Sequence, residues 1–262
     1  LFFYFHKPIN LNVFLFPYML ETLSNSQLII AFFIILSAYI VRGITGFGSG
    51  LIAIPLLALM LPISLVVPMV GLLDYSASLG HVVKLRKNIQ WQYIAILLPF
   101  SLLGVLLAMY LFNTIDAHLL KKFLGGFIIL YALYTLLSIK THSYKSYFWA
   151  IPSGLLGAFI GTLFGTGGPF YIIYLQLQGL GKTAFRATIA IIFLLDGSVR
   201  ITAYGFNGFY TEKLLLVLSI CLPIMLIAMY VGGHIHTNIS HKKIQKIIAI
   251  ILLFSGSALL FY

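Results

Sequence analysis

Ten apolar runs follow one another along this chain, and two of them are too short to cross a bilayer. They occupy residues 27–42, 51–61, 63–83, 91–112, 119–139, 147–164, 169–180, 187–205, 214–233 and 244–262. A helix spanning the hydrocarbon core needs roughly 20 mostly apolar residues. The runs 51–61 and 169–180 fall short of that, and each follows a glycine cluster that closes the run before it. This pattern predicts an all-α polytopic membrane protein in which two helices break part-way across.

Composition points to the same solvent. Of the 262 residues 61% are hydrophobic and 8% charged, with a mean hydropathy of +1.07, whereas soluble domains carry about 25% charged residues. The net charge of +11 is therefore not a nucleic-acid footprint, because excess Lys and Arg in a membrane protein collect in cytoplasmic loops. The lone Cys221 excludes an internal disulfide and a cysteine-rich metal site. Residues 1–26, interrupted by Lys7, Pro8, Pro17 and Glu21, lack the order of a signal peptide and read as an interfacial tail.

Sliding the chain against itself by 119 residues brings Gly46 onto Gly165, Gly48 onto Gly167, His81 onto Arg200 and Asn88 onto Asn207. One further residue of offset brings Met109-Tyr110 onto Met229-Tyr230. We expect two repeats, 27–146 and 147–262, each a broken-helix hairpin followed by three crossings. Three is odd, so the second copy is expected to be inverted. The loops at 84–87, 140–145, 182–186 and 242–246 hold ten Lys and Arg, against Lys7, Lys121, Lys122 and Lys213 on the other side. This bias puts the first set in the cytoplasm and both termini outside. Trp91 and Trp149 then fall at span ends on the basic side, where interfacial aromatics belong.

The breaks read Arg42-Gly43-Ile44-Thr45-Gly46-Phe47-Gly48-Ser49-Gly50 and Gly161-Thr162-Leu163-Phe164-Gly165-Thr166-Gly167-Gly168-Pro169. Non-helical backbone at membrane depth must sit inside protein or line a wet cavity. The helices that restart beyond the breaks would present free N–H groups and a partial positive charge, which favour an anion. Paired broken segments in inverted repeats mark a transporter's binding site. The expected substrate contacts are Arg42, Thr45, Gly46, Gly48, Ser49 and Gly50 from the first repeat. Gly165, Thr166, Gly167, Gly168 and Arg200 are those of the second. Intramembrane charges are costly and functional by default, so Asp74, Asp196 and His81 are expected to tune the charge or to carry a coupling proton. Asp196 and Arg200, four apart on one helix, could instead neutralise each other. Gly157, Gly161 and Gly165 also form a small-residue stripe suited to helix packing, the reading favoured for Gly157.

Other motifs fail. Gly181-Lys182-Thr183 would need a glycine at 176, which is Gln176, so no phosphate loop exists. Gly46, Gly48 and Gly50 are spaced wrongly for a dinucleotide fingerprint, and Ser49 has no matched histidine base for hydrolysis. His234, His236 and His241 read as a solvated loop rather than a metal site.

The two breaks, G-F-G-S-G-L-I-A-I-P-L-L at 46–57 and G-T-G-G-P-F-Y-I-I-Y at 165–174, resemble the sulfite exporter TauE/SafE family of membrane transporters. The resemblance covers nearly the whole chain after residue 26. Tyr174 stands opposite Pro55, and Gly168-Pro169 opposite Ser49-Gly50, departures that leave the particular substrate open. The resemblance implies transport, as an exporter, of small sulfur-containing or organic anions across the cytoplasmic membrane. The residues themselves point to alternating access around a midplane anion site; a passive channel-like permease and an intramembrane enzyme are the rival readings. No cofactor is expected. The partners expected are a small anion and the bilayer, with a coupling proton and a homodimer left open.

Overall fold

The computed structural model describes residues 24–85, 88–137, 146–235 and 241–261. Most of the expected N-terminal tail, the loop residues Arg86, Lys87, Lys140 and Lys145, and His236 lie outside the described residues. So do the side chains of 80–85, 182 and 241–245, His81 and His241 among them.

Among the described residues the chain forms ten α-helices and no strand. They are α1 Asn25–Thr45, α2 Ser49–Ala58, α3 Ile63–Leu85, α4 Trp91–Thr114, α5 Ala117–Leu137, α6 Ala150–Phe164, α7 Gly168–Leu177, α8 Lys182–Phe206, α9 Glu212–His234 and α10 His241–Phe261. A single 3₁₀ turn, Tyr147–Trp149, leads into α6. Six segments are long and apolar enough to cross a membrane: α1, α4, α5, residues 147–164, residues 183–206 of α8, and α9. The protein is a polytopic helical membrane protein.

Local chemistry sets the ends of these elements. Ser24 and Gln27 form a reciprocal capping box at the start of α1. α1 and α6 stop in the same way, at Gly46 (φ 85°) and Gly165 (φ 64°), whose N–H groups reach back to the carbonyls of Arg42 and Gly161. That left-handed geometry suits a residue without a Cβ. After each stop a ten-residue helix restarts, α2 or α7, about 15 Å long and half of what a crossing requires. Pro169 sits in the first turn of α7, where its missing N–H costs no helix bond.

Packing is close where glycines stand between facing helices. α4 lies on α6, where a Cβ on Gly104 would meet the carbonyl of Leu155 and one on Gly154 the carbonyl of Leu97. α1 lies on α9 through Gly43 and Gly232, and α5 on α10 through Gly125 and Gly256. Without a hydrophobic force between helices in lipid, such close approach supplies the van der Waals contact that holds the bundle. α3 and α8 cross at the centre, and α2 is buried around nearly its whole circumference. The outward faces carry Leu103, Leu106 and Tyr110 of α4 and Leu216, Ile220 and Ile227 of α9, each more than half exposed. Faces this apolar suit lipid rather than water.

Two hydrogen bonds fix relative directions. The Gln90 N–H at the start of α4 donates to Thr188 near the start of α8, and Asn113 at the end of α4 donates to Asn207 at the end of α8. α4 and α8 therefore run parallel. Tyr93 stacks on Tyr147 at 5.8 Å, so Trp91 and Trp149, both exposed, stand at one end of the bundle.

A valine at position 104 is expected to destabilise the protein by about 1–3 kcal/mol, the usual cost of overpacking. Gly126→Ala, where a Cβ meets open space, should leave stability unchanged. Thermal unfolding in detergent of the two variants checks this, and equal midpoints would exclude the α4–α6 contact as a tight one.

Candidate functional site

The two breaks meet. A Cβ on Gly50 would lie 2.7 Å from the carbonyl oxygen of Gly165 and 3.3 Å from Asp74 Oδ2, and one on Gly165 would run into Ile54. Only glycine lets the two backbones approach so closely. Asp74 is the twelfth of the 23 residues of α3, so the breaks touch halfway along a helix about 34 Å long.

A cavity of about 600 Å³, its open mouth included, lies at this junction. Gly48, Gly50 and Leu51 reach it from the start of α2, and Thr166, Gly167, Gly168 and Pro169 from the start of α7. Neither helix carries a side-chain cap at its N-terminus, so the positive ends of both dipoles stand at the cavity. Arg42, Asp74, Tyr75, Tyr171 and Arg200 also line it.

Arg42 is held by four contacts. Nη1 donates to Asp74 Oδ1 at 2.8 Å and to Ser49 Oγ at 2.9 Å; Nη2 donates to the Asp74 carbonyl at 3.0 Å and to Ser78 Oγ at 2.9 Å. Asp74 Oδ1 also accepts from Tyr39 at 2.7 Å and Ser49 at 2.6 Å. Tyr39 and Arg42 are three apart on α1, and Asp74 and Ser78 four apart on α3, so two helix faces and Ser49, the first residue of α2, supply the network. The Asp74 side chain keeps 24% of its surface accessible.

Arg200 is arranged differently. Nη2 pairs with Asp196 Oδ2 at 2.9 Å, four residues back on α8, and Nη1 donates at 2.8 Å to the Gly161 carbonyl. That places a cation on the C-terminal end of α6, where the helix dipole favours it. Tyr204 donates to the neighbouring Thr162 carbonyl. Asp196 is sealed behind Arg200, with no accessible side-chain surface. Of the two carboxylates Asp74 reaches the cavity and Asp196 does not. Arg200 Nε and Thr166 Oγ1 are buried polar atoms without a hydrogen-bond partner, on residues that line the cavity.

Of the residues singled out in the sequence, the cavity wall gathers Arg42, Gly48, Gly50, Asp74, Gly165, Thr166, Gly167, Gly168 and Arg200. Ser49 lies behind that wall, bonded to Arg42 and Asp74. Thr45 and Gly46 do not line the cavity. The Thr45 hydroxyl turns back on its own loop, to the carbonyls of Val41 and Phe47, and Gly46 caps α1. Asp196 pairs with Arg200, and Gly157 lies under the Tyr171 ring. The Arg42–Asp74 pair, Tyr39 and Ser78 escaped the sequence reading; the three- and four-residue spacings on α1 and α3 were the only signal.

The fold and the site together define a membrane transport protein: a polytopic bundle whose helices break over a charged cavity at half height. The model of the family "Sulfite exporter TauE/SafE" matches residues 31–259, and the chain belongs to that family. Among its relatives is the probable sulfite/organosulfonate exporter TauE of Cupriavidus necator, 24% identical over 226 residues, covering 83% of this chain and 87% of the relative. Another is the probable inner membrane transporter protein TsaS of Comamonas testosteroni, 25% identical over 194 residues, covering 73% of this chain and 81% of the relative. No solved structure matches the chain. The relatives are named as transporters, and the protein is a transporter rather than an enzyme.

Removing one member of the Arg42–Asp74 pair leaves its partner uncompensated, so Arg42→Gln and Asp74→Asn should each destabilise by about 3 kcal/mol. The double variant should lose at least ~1 kcal/mol less than the sum of the single losses. Denaturation of the four proteins in detergent measures this coupling, and strict additivity would exclude it.

Proposed function

We propose that this chain is a secondary transporter that exports a small sulfur-containing or organic anion, bound where the two breaks meet. The observation that carries the reading is the pair of uncapped helix N-termini, α2 and α7, facing one cavity with two arginines on its walls. Free N–H groups and dipole ends favour an anion, and the unpartnered Thr166 hydroxyl and Arg200 Nε offer it two more donors. Arg42 from one side and Arg200 from the other would hold it. Export is the direction in the name of the C. necator relative, and an anionic substrate of this class is consistent with that name.

The repeats we assign are 27–146 and 147–262, the second inverted. Supporting this, α1 packs on α9 as α6 packs on α4, and α3 meets α8 as α5 meets α10, the pairing expected when the two halves exchange. The parallel course of α4 and α8 also fits. α3 leads into α4 through a short turn and so opposes both α4 and its own counterpart α8. With the basic loops in the cytoplasm, both termini lie outside.

Each arginine has an aspartate beside it, so the two ion pairs cancel formally. We assign the coupling proton to Asp74, since it reaches the cavity and Asp196 does not. Protonating Asp74 would leave Arg42 with an unbalanced charge for the anion, so that proton and anion bind together.

Purified protein in liposomes should take up labelled sulfite or an organosulfonate saturably, faster with a pH gradient. Arg42→Gln should lower that flux at least tenfold with the protein still folded. Asp74→Asn should retain anion-induced thermal stabilisation, worth about 2.7 kcal/mol at a hundredfold excess over Kd, but lose the response to the gradient. Undiminished flux in Arg42→Gln would overturn the site, and a gradient response surviving in Asp74→Asn would overturn the coupling.

A further inference from the structure

A second cavity lies on the other side of the first break, and no role described so far uses it. It is lined by Thr45 of α1, Tyr131 and Thr135 of α5, and Ile248 and Leu252 of α10. Phe47, Gly48 and Leu51 line both this cavity and the anion cavity. The side chains shared by the two spaces are therefore Phe47, on a loop three residues long, and Leu51, in the first turn of α2.

That loop is built to move one side chain. Gly46 and Gly48 flank Phe47 at φ 85° and 95°, and a Cβ on either would meet nothing within 4 Å. The two glycines beside Phe47 thus have open space where a side chain would stand. Its backbone is held from within by Thr45, whose hydroxyl donates to the Phe47 carbonyl at 2.6 Å. Phe47 itself is only partly buried.

The cavity also has a direction. Thr135 is two residues from Leu137, where α5 ends before the 138–145 segment with Lys140 and Lys145. Ile248 and Leu252 lie in the first part and middle of α10, which follows the basic stretch at 242–246. The second cavity thus runs from the breaks at half height toward the basic end of the bundle. The matching flank of the second break is filled. Under the 119-residue offset Thr45 and Leu51 become Phe164 and Phe170, and both rings stack on Phe127, at 6.2 and 6.3 Å.

We infer that the second cavity is a cytoplasmic vestibule and that Phe47 is the gate between it and the anion site, with the Thr45 hydroxyl as its latch. This rests on the transport reading and on the orientation proposed above. A small anion would leave the vestibule for the site when the Phe47 ring swings about its two flanking glycines. The opposite flank is shut by the Phe127, Phe164 and Phe170 rings while the vestibule is open.

The test uses cysteine accessibility in proteoliposomes, which does not depend on flux. Cys221→Ala removes the native thiol, and single cysteines are placed in the vestibule (Thr135→Cys) and in the anion cavity. The latter is Gly71→Cys, where a Cβ comes no nearer than 3.9 Å to a neighbour. The probe is membrane-impermeant 2-sulfonatoethyl methanethiosulfonate, applied to either side. Thr135→Cys should react from the cytoplasmic side, and Gly71→Cys should react from that side at least tenfold faster with Phe47→Ala than with Phe47 or Phe47→Trp. Reaction of Thr135→Cys only from the outer face, or from neither, would overturn the vestibule. A Gly71→Cys rate indifferent to residue 47 would overturn the gate. If neither sulfite nor organosulfonate is transported while the labelling pattern holds, the transport reading fails and the gated vestibule stands.

Discussion

A helix that stops inside a bilayer leaves carbonyls on one side of the stop and N–H groups on the other, and lipid can bond to neither. This protein contains two such stops, and it treats their two sides differently. The carbonyl ends of α1 and α6 are met from within: by the Gly46 and Gly165 N–H groups, by Arg200 on Gly161 and by Tyr204 on Thr162. The N–H ends of α2 and α7 have no side-chain cap and face the cavity. The acceptors are thus met while the helix starts carry no side-chain cap, an imbalance that would suit the anion proposed for the cavity.

The same constraint explains the charges. Arg200 is tied to the backbone it caps, and its partner Asp196 is sealed from the cavity. Removing water from such a pair is costly, and its Coulomb attraction repays that only with further hydrogen bonds; the bond to Gly161 is one of these. Arg42 and Asp74 sit in a richer network, with Tyr39, Ser49 and Ser78, but open on one side. One pair therefore acts as a fixed support for the second break. The other, with Asp74 partly accessible, is the pair proposed above to meet the anion.

Much of this was legible in the sequence because it is local. Lengths and glycine clusters gave the ten helices to within a few residues, and the four-residue spacing of Asp196 and Arg200 announced their pairing. The Arg42–Asp74 pair was not legible, because 32 residues separate its members and only the packing of α2 against both α1 and α3 brings them together. Thr45 and Gly46 were placed at the site for their position in the break. At a reversal, however, each residue turns a different way, and the left-handed Gly46 sends Thr45 back along its own helix. Spacing finds which residues share a segment, but φ at the glycines decides which of them share a cavity.

Packing also limits how such a site can open. The closest helix contacts, α1 on α9, α4 on α6 and α5 on α10, each join one proposed repeat to the other and each is made through glycine. Rocking one whole repeat against the other would separate all three at once. Tightly interlocked surfaces switch between discrete arrangements rather than deform smoothly, so such a motion would lose contact across most of the bundle. Part of the first loop escapes this restriction, although Gly50, Gly165 and Gly167 at the junction are packed as tightly as the glycines between helices. Gly46 and Gly48 stand in open space, and the first flank of the junction carries Thr45 and Leu51 where the second carries the bulkier Phe164 and Phe170. Movement confined to Phe47 and its flanking glycines would, on the gating proposed above, change access to the cavity and leave the glycine-packed frame intact. The glycines thus serve two opposed ends: between helices and at the junction they allow tight contact, and at Gly46 and Gly48 they leave space.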